Sequence, residues 1–400
     1  NGIGVTQDFN KAIKFFESAS KLNNSYGFFN LGVIYYRGLG VEKDYKKAKD
    51  YFELSANLKN SDGLIFLGNL YILGNGVEKD YTKAKECYEL SAKLGNSQGL
   101  VELGNLYFNG WGCEKDFKKA KELYELSAKQ NNSIGLFNLG NLYLNGFGVE
   151  KNYEISMKYY ELSARLNNSE ALILLGNFYY FGIGVKQSYE TAKEYYEKSI
   201  KLNNSNGLIH MGKLYYFGKG VKQNYEIAKE YFEKSSKQGN FIAMYFLCDY
   251  YLNVKKDQNK AEYYLKLFLK QDKNELLNFI SSNYSLIKNN ENNLKSLFTN
   301  HDSNSSEIIK LIYKISPDFI YQLMKLPFCL DFLLYHKNDC NSLITLSLFY
   351  HAGFNVKRDD EKAKQYLDTA LTKKDDPNIS NVYIILGFFY IKGFGTPKDY

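Results

Sequence analysis

The chain has 400 residues, 51 of them basic and 44 acidic, for a formal net charge of +7. A hydrophobic fraction of 44% excludes a disordered chain. The lack of any apolar run of about 18 residues excludes a membrane-spanning helix, and so mild a charge excess gives no reason to expect nucleic acid or a membrane surface as partner.

All four prolines, Pro317, Pro327, Pro377 and Pro397, lie in the last quarter, so the preceding stretch reads as helical territory. The 31 glycines of such a chain then need a cause, as do its 37 tyrosines. Both ends, Asn1-Gly2-Ile3-Gly4-Val5 and Phe394-Gly395-Thr396-Pro397-Lys398-Asp399-Tyr400, fall inside a repeating pattern. The sequence therefore reads as a piece of a longer protein.

In chain order, Leu-Gly followed by Tyr three residues on recurs at Leu31-Gly32/Tyr35, Leu67-Gly68/Tyr71, Leu103-Gly104/Tyr107, Leu139-Gly140/Tyr143 and Leu175-Gly176/Tyr179, then as Met211-Gly212/Tyr215. The step never varies, which marks a structural repeat. One unit can be followed from Ser61 to Asn96. Ser61 is the expected cap of a first helix through Gly63-Leu64-Ile65-Phe66-Leu67-Gly68-Asn69-Leu70-Tyr71-Ile72, whose apolar residues have helical spacing. Gly74-Asn75-Gly76-Val77 stops it. Asp80 caps a second helix, Tyr81 to Ala92, and Gly95-Asn96-Ser97 leads into the next unit. Each repeat is a helix–turn–helix hairpin. A helix-interior glycine costs about 1 kcal/mol relative to alanine. The recurring Gly32, Gly68, Gly104, Gly140, Gly176 and Gly212 are therefore expected to permit close approach of the paired helix. Its small residue recurs at Ala48, Ala84, Ala120, Ala192 and Ala228, with Ser156 as substitute.

The pattern wears out after the sixth unit. Cys248 takes the glycine's place, Asn253-Val254-Lys255-Lys256-Asp257 lacks the glycine turn, and Lys260-Ala261-Glu262-Tyr263-Tyr264 keeps the second helix. The expected organisation is a repeat array over 1–272, a divergent helical segment with a loop over 273–340, and resumed repeats over 341–400. Those last repeats include Leu346 to Tyr350, Glu361-Lys362-Ala363 and Leu386-Gly387, with extra residues at Asp375 to Asn378.

Chemistry is scarce. Cys87, Cys113, Cys248, Cys329 and Cys340 form no CxxC, and His210, His301, His336 and His351 have no ligand spacing with them, so neither a zinc site nor a disulfide framework is expected. Reduced cysteines favour the cytoplasm. The Gly-x-Gly turn lacks the Lys-Ser/Thr of a phosphate loop. No catalytic triad, metalloprotease or kinase signature occurs, so no catalytic residue, metal or cofactor is expected. Asn-x-Ser at Asn23, Asn131, Asn167 and Asn203 would be glycan acceptors in a secreted chain. Left-handed asparagines followed by helix caps explain them more simply. The lysines of the second helices, as in Lys46-Lys47-Ala48-Lys49, alternate with acids and read as a solvated face.

One face of the first helices, at spacings 0, +4, +7 and +11, changes from unit to unit while the opposite face stays nearly constant. Stacking requires the constant face only. The candidate partner-binding residues are therefore Asp62, Phe66 and Asn69; Gln98, Glu102, Asn105 and Asn109; Asn138, Asn141 and Asn145; Glu170, Asn177 and Phe181; and His210, Lys213 and Phe217. Asn69, Asn105, Asn141 and Asn177 form a ladder whose amides could pair with the backbone of an extended peptide, or bond within their own hairpins.

Leu67-Gly68-x-x-Tyr71, Gly74-x-Gly76-Val77, Asp80-Tyr81-x-Lys83-Ala84, Tyr88 and Ser91-Ala92 together resemble the Sel1-like repeat, a relative of the tetratricopeptide repeat. Cys113 in place of the turn valine departs from the family pattern. So does glycine at 27, 63, 99, 135 and 207, where the family more often has the alanine kept at Ala171 and Ala243. The resemblance implies an all-α fold, a right-handed α/α superhelical solenoid of stacked hairpins with the first helices on the concave side. It further implies a scaffold or adaptor that holds a protein or peptide there, without enzyme activity in this stretch. Roles within a larger enzyme such as a protein kinase, or in degradation at the endoplasmic reticulum, are the alternatives it offers. An RNA-binding solenoid is less favoured.

Overall fold

The computed structural model describes residues 7–269, 340–352 and 357–373 and the single positions 382 and 386. Residues 273–339 of the divergent segment 273–340, the insertion at Asp375 to Asn378 and the glycine of Leu386-Gly387 lie outside the described residues. The chain divides into two compact units, 1–207 and 208–400. Every described element is a helix.

The first unit opens with α1 (Phe9–Lys21) and continues as five hairpins. Their first helices are α2 (Ser25–Arg37), α4 (Ser61–Leu73), α6 (Ser97–Asn109), α8 (Ser133–Asn145) and α10 (Ser169–Phe181). Their second helices are α3 (Tyr45–Asn57), α5 (Tyr81–Lys93), α7 (Phe117–Lys129), α9 (Tyr153–Arg165) and α11 (Tyr189–Lys201). Each packs on its hairpin partner, α3, α5, α7 and α9 also pack on the first helix of the next hairpin, and α4 touches α6 as α6 touches α8. The core is a series of similar clusters, such as Ala48, Phe52, Leu64, Leu67 and Leu70, each joining one hairpin to the next. This is the all-α solenoid class that the repeat implied, stabilised by neighbour-to-neighbour packing.

The hairpin turn is built as expected. Gly74 and Gly76 have φ of 72° and 69°. A Cβ on Gly76 would also stand 2.7 Å from the Tyr45 backbone at the start of α3, so this glycine serves both the turn and the stacking of adjacent hairpins. Asp80 caps α5 by accepting from the amides of Thr82 and Lys83. Asn23, Asn131, Asn167 and Asn203 take φ between 55° and 61°, the left-handed conformation that follows each second helix.

The cap of the first helices differs from expectation by one residue. Asn60, not Ser61, is the N-cap of α4, and Asn24, Asn96, Asn132 and Asn168 serve the same way. The asparagine has two ends to use. Its Oδ1 caps its own helix, as from the Gly63 amide to Asn60 at 2.9 Å. Its Nδ2 reaches back to the preceding first helix, as from Asn96 to Ser61 Oγ at 3.0 Å and Asp62 Oδ1 at 2.8 Å. The serine that follows is small and lends its carbonyl to the second helix: the buried Ser91 hydroxyl donates to Ser61 O at 3.0 Å, and Ser127 to Ser97 O at 2.9 Å.

The internal glycines also act differently from expectation. An added Cβ at Gly140 would lie 2.5 Å from the ring of Tyr160, and Gly32, Gly68, Gly104, Gly176 and Gly212 meet Phe52, Tyr88, Tyr124, Tyr196 and Phe232 in the same way. The glycine makes room for an aromatic ring one turn beyond the expected alanine. The alanines are fully buried. At their register the Ser156 hydroxyl donates to the Gly140 carbonyl at 2.8 Å, so the small residue abuts the glycine's backbone while the ring fills the missing side chain's space.

α12 (Ser205–Phe217) carries residues on both sides of the boundary between units. The second unit continues with α13 (Tyr225–Lys237), α14 (Phe241–Tyr250), a π-helical turn (Tyr251–Lys255) and α15 (Gln258–Leu269). That turn stands where the glycine loop is missing, and Lys256 takes its left-handed conformation at φ 57°. A later hairpin, α16 (Cys340–Ala352) and α17 (Asp360–Leu371), stacks Tyr350 on Tyr366 at 5.6 Å, as Tyr179 stacks on Tyr195 at 5.8 Å in the first unit.

Candidate partner-binding groove

On the first-helix face, the four ladder asparagines each accept a hydrogen bond from a tyrosine of their own hairpin. Tyr88 donates to Asn69 Oδ1 at 2.6 Å, Tyr124 to Asn105 at 2.8 Å, Tyr160 to Asn141 at 2.7 Å and Tyr196 to Asn177 at 2.8 Å. The rings are buried and their hydroxyls need an acceptor. Residue identities elsewhere follow the same rule. Phe52, which has no hydroxyl, stands opposite Val33, and Phe232 opposite Lys213. Asparagine is present where the ring is tyrosine.

The amide is thereby oriented. With Oδ1 held by the phenol, Nδ2 of Asn69, Asn141 and Asn177 makes no hydrogen bond among the described residues. Asn105 donates to Glu102 Oε2 at 3.2 Å, and Asn138 donates to Asn105 Oδ1 at 3.2 Å across neighbouring hairpins.

The other candidates fall into distinct settings. Asp62, Gln98 and Glu170 receive the cap asparagine of the next hairpin. Asn109 and Asn145 donate to the carbonyls of Asn105 and Asn141. Phe66 packs among Phe29, Tyr36 and Phe52 and belongs largely to the core. Phe181 is 63% exposed. In the second unit, burial lowers His210 to about 3, helped by the nearby Lys213 charge, and lowers Lys213 to about 8. Lys213 lies over the Phe246 ring at 5.1 Å. Phe217 is partly exposed against Tyr216.

A pocket of about 350 Å³ collects Asn69, Glu102, Asn105 and Asn109. Its remaining wall is Leu73, which lies on the same stripe, together with Tyr36, Ile72, Tyr88, Leu106 and Trp111, which helical spacing did not place there. Trp111 is the middle residue of Gly110-Trp111-Gly112, a place occupied in other units by Leu39, Asn75, Phe147, Ile183 and Lys219. That variation is the signal that extends the stripe beyond the helix end.

Burial raises the phenol pKa of Tyr88, Tyr124, Tyr160 and Tyr196, and the charge of Glu102 adds to this at Tyr88 and Tyr124. The folded chain keeps these protons above the ordinary phenol value of about 10, where the unfolded chain releases them. Stability is therefore retained below about pH 10 and falls as pH rises beyond it. In an ultraviolet titration these phenols should ionise only together with loss of the helical circular dichroism. Full ionisation with the helices intact would contradict their burial.

The Sel1 repeat model matches residues 1–24, 29–60, 61–96, 97–132, 133–168, 169–204, 205–240, 242–273, 343–375 and 383–400. Among solved structures, the chain is similar to c5321, a protective antigen of uropathogenic Escherichia coli displaying an SLR fold. Identity is 24% over 100% of this chain and 79% of that one, with a TM-score of 0.49. It is similar to a Sel1 repeat protein from Oxalobacter formigenes at 24% identity, over 64% of this chain and 99% of that one, with a TM-score of 0.53. Helicobacter pylori cysteine rich protein B matches 32% of this chain over 92% of its own length, at 32% identity and a TM-score of 0.27. No curated protein matches the chain. No described helix is long and apolar enough to cross a membrane. The repeat is matched across most of the sequence, and its hairpins, glycine turns and glycine-to-ring contacts recur at one register: the chain belongs to the Sel1 repeat family.

Proposed function

We propose that this stretch is a protein-interaction scaffold and that the first-helix face of unit 1–207 holds an extended segment of a partner protein. The observation that carries the reading is the set of oriented amide donors at Asn69, Asn141 and Asn177. Each is fixed from behind by a tyrosine, unused within the hairpin, and at the same register in its repeat. A peptide backbone offers carbonyl acceptors that such donors can take. A fixed donor loses little entropy on binding, so most of the bond's worth appears as affinity.

Asparagine-to-aspartate substitution separates binding from folding. Aspartate keeps an acceptor for the tyrosine hydroxyl and replaces the outward donor by an oxygen. Peptides selected from a random display library on the intact chain should bind the double variant Asn69→Asp, Asn141→Asp about tenfold or more weakly, each lost bond being worth about 0.5–1.5 kcal/mol. The thermal midpoint should stay close to that of the parent. Unchanged peptide affinity in the variant would sink the reading. Capture that weakens steeply with added salt and is displaced by RNA would instead favour a nucleic-acid surface.

A further inference from the structure

The pocket beside Trp111 has a polar group that its own hairpins do not neutralise. Glu102 accepts from Gln98 Nε2 at 2.7 Å and from Asn105 Nδ2 at 3.2 Å, one neutral amide on each oxygen. No basic side chain pairs with it among the described residues. Each carboxylate oxygen retains a second lone pair, and the two amides hold the group in one orientation. The aromatic residues Tyr36 and Trp111 line the same pocket, with Trp111 stacked on Tyr81 at 5.7 Å and still 41% exposed.

A third feature has the same sign. Tyr36, Leu73 and Asn109 lie in the last turn of α2, α4 and α6. All three first helices therefore end at the pocket, and helix C-termini carry partial negative charge. A carboxylate, aromatic faces and nearby helix C-termini all favour a cation. A planar guanidinium suits them best, because it can stack on a ring and at the same time meet both carboxylate oxygens.

We infer that this pocket takes the arginine side chain of the partner segment. The inference rests on the groove reading above and adds to it the residue that sets register. Ladder amides would bind any backbone, whereas one arginine pocket fixes which partner residue lies between the second and third hairpins.

Trp111 is the single tryptophan of the chain, so its fluorescence reports this pocket directly. The test titrates the full chain with N-acetyl-arginine amide, its citrulline analogue and its lysine analogue. The expected result is a saturable change in emission with arginine and an apparent affinity about fivefold or more weaker for citrulline, which keeps the shape and loses the charge. Glu102→Gln should bring arginine down to the citrulline level, and citrulline should be unaffected by the substitution. Equal responses to arginine and citrulline, or to arginine and lysine, would overturn the assignment. The comparison between ligands uses the unaltered chain, so it does not depend on the variant's folding. If library peptides bind the groove without arginine preference, this inference fails and the groove reading stands. If no peptide is captured at all, both fail.

Discussion

Tyr160→Ala should destabilise the α8–α9 hairpin by about 3–5 kcal/mol, the usual cost of removing a large buried ring. The ring is fully buried, packs on Phe137 at 5.6 Å and on Phe178 at 6.1 Å, and so joins its own hairpin to the next one. Tyr160→Phe should lose only about 0.5–1.5 kcal/mol, the net worth of the hydroxyl bond to Asn141. The sequence already contains the compensated form. Pairing Tyr160→Phe with Asn141→Val copies the Phe52/Val33 arrangement of the second-helix and first-helix partners α3 and α2. Removing both polar partners should recover most of the hydroxyl loss. Urea unfolding, read together with amide exchange in α8 and α9, separates the local from the global effect, because repeat arrays need not unfold in one step. A double variant no more stable than Tyr160→Phe would show that the hydroxyl and the amide do not act as a pair.

Gly140→Ala should also destabilise the fold, by about 1–3 kcal/mol, the range for overpacking a filled core. On propensity alone the substitution should gain about 1 kcal/mol, since alanine favours helix over glycine. The two effects have opposite signs, and geometry decides between them. The new Cβ would stand 2.5 Å from Tyr160 Cε1 and 2.7 Å from Cδ1, on a ring held from its other sides by Phe137 and Phe178. In a Tyr160→Leu background the ring edge is gone, and Gly140→Ala should become neutral or stabilising. A double-mutant cycle measures this coupling. A higher urea midpoint for Gly140→Ala in the unaltered chain would refute the ring-pocket account.

The candidate site was legible only in part. The stripe from Asp62 to Phe217 could be found because it varies where stacking sets no requirement. Which members face outward could not, because helical spacing fixes direction and says nothing of the neighbour. Phe66 shares its register with Glu102 and Asn138, yet it turns into a cluster of three other rings. Trp111 lies after the helix, where period-based reasoning stops. Tyr36 comes from two hairpins before, so nothing local connects it with Glu102.

The sequence by itself determined the repeat, its hairpin form and the glycine turns. These depend on interactions within a few residues of one another, and the same residues return at a constant step. Tertiary structure decided the rest. Ser61 and Asn60 are both good caps on propensity. Asparagine takes the position because its second end reaches the preceding hairpin, a contact 34 to 35 residues away in sequence. Glycine at 140 could have served an alanine or a ring, and only the packed helices show Tyr160 lying against it. The asparagine ladder could have been all ligand surface or all internal bonding. Packing commits each amide oxygen to a buried tyrosine, because a phenol removed from water must find an acceptor within its own hairpin, and leaves the nitrogens of Asn69, Asn141 and Asn177 without a hydrogen bond among the described residues.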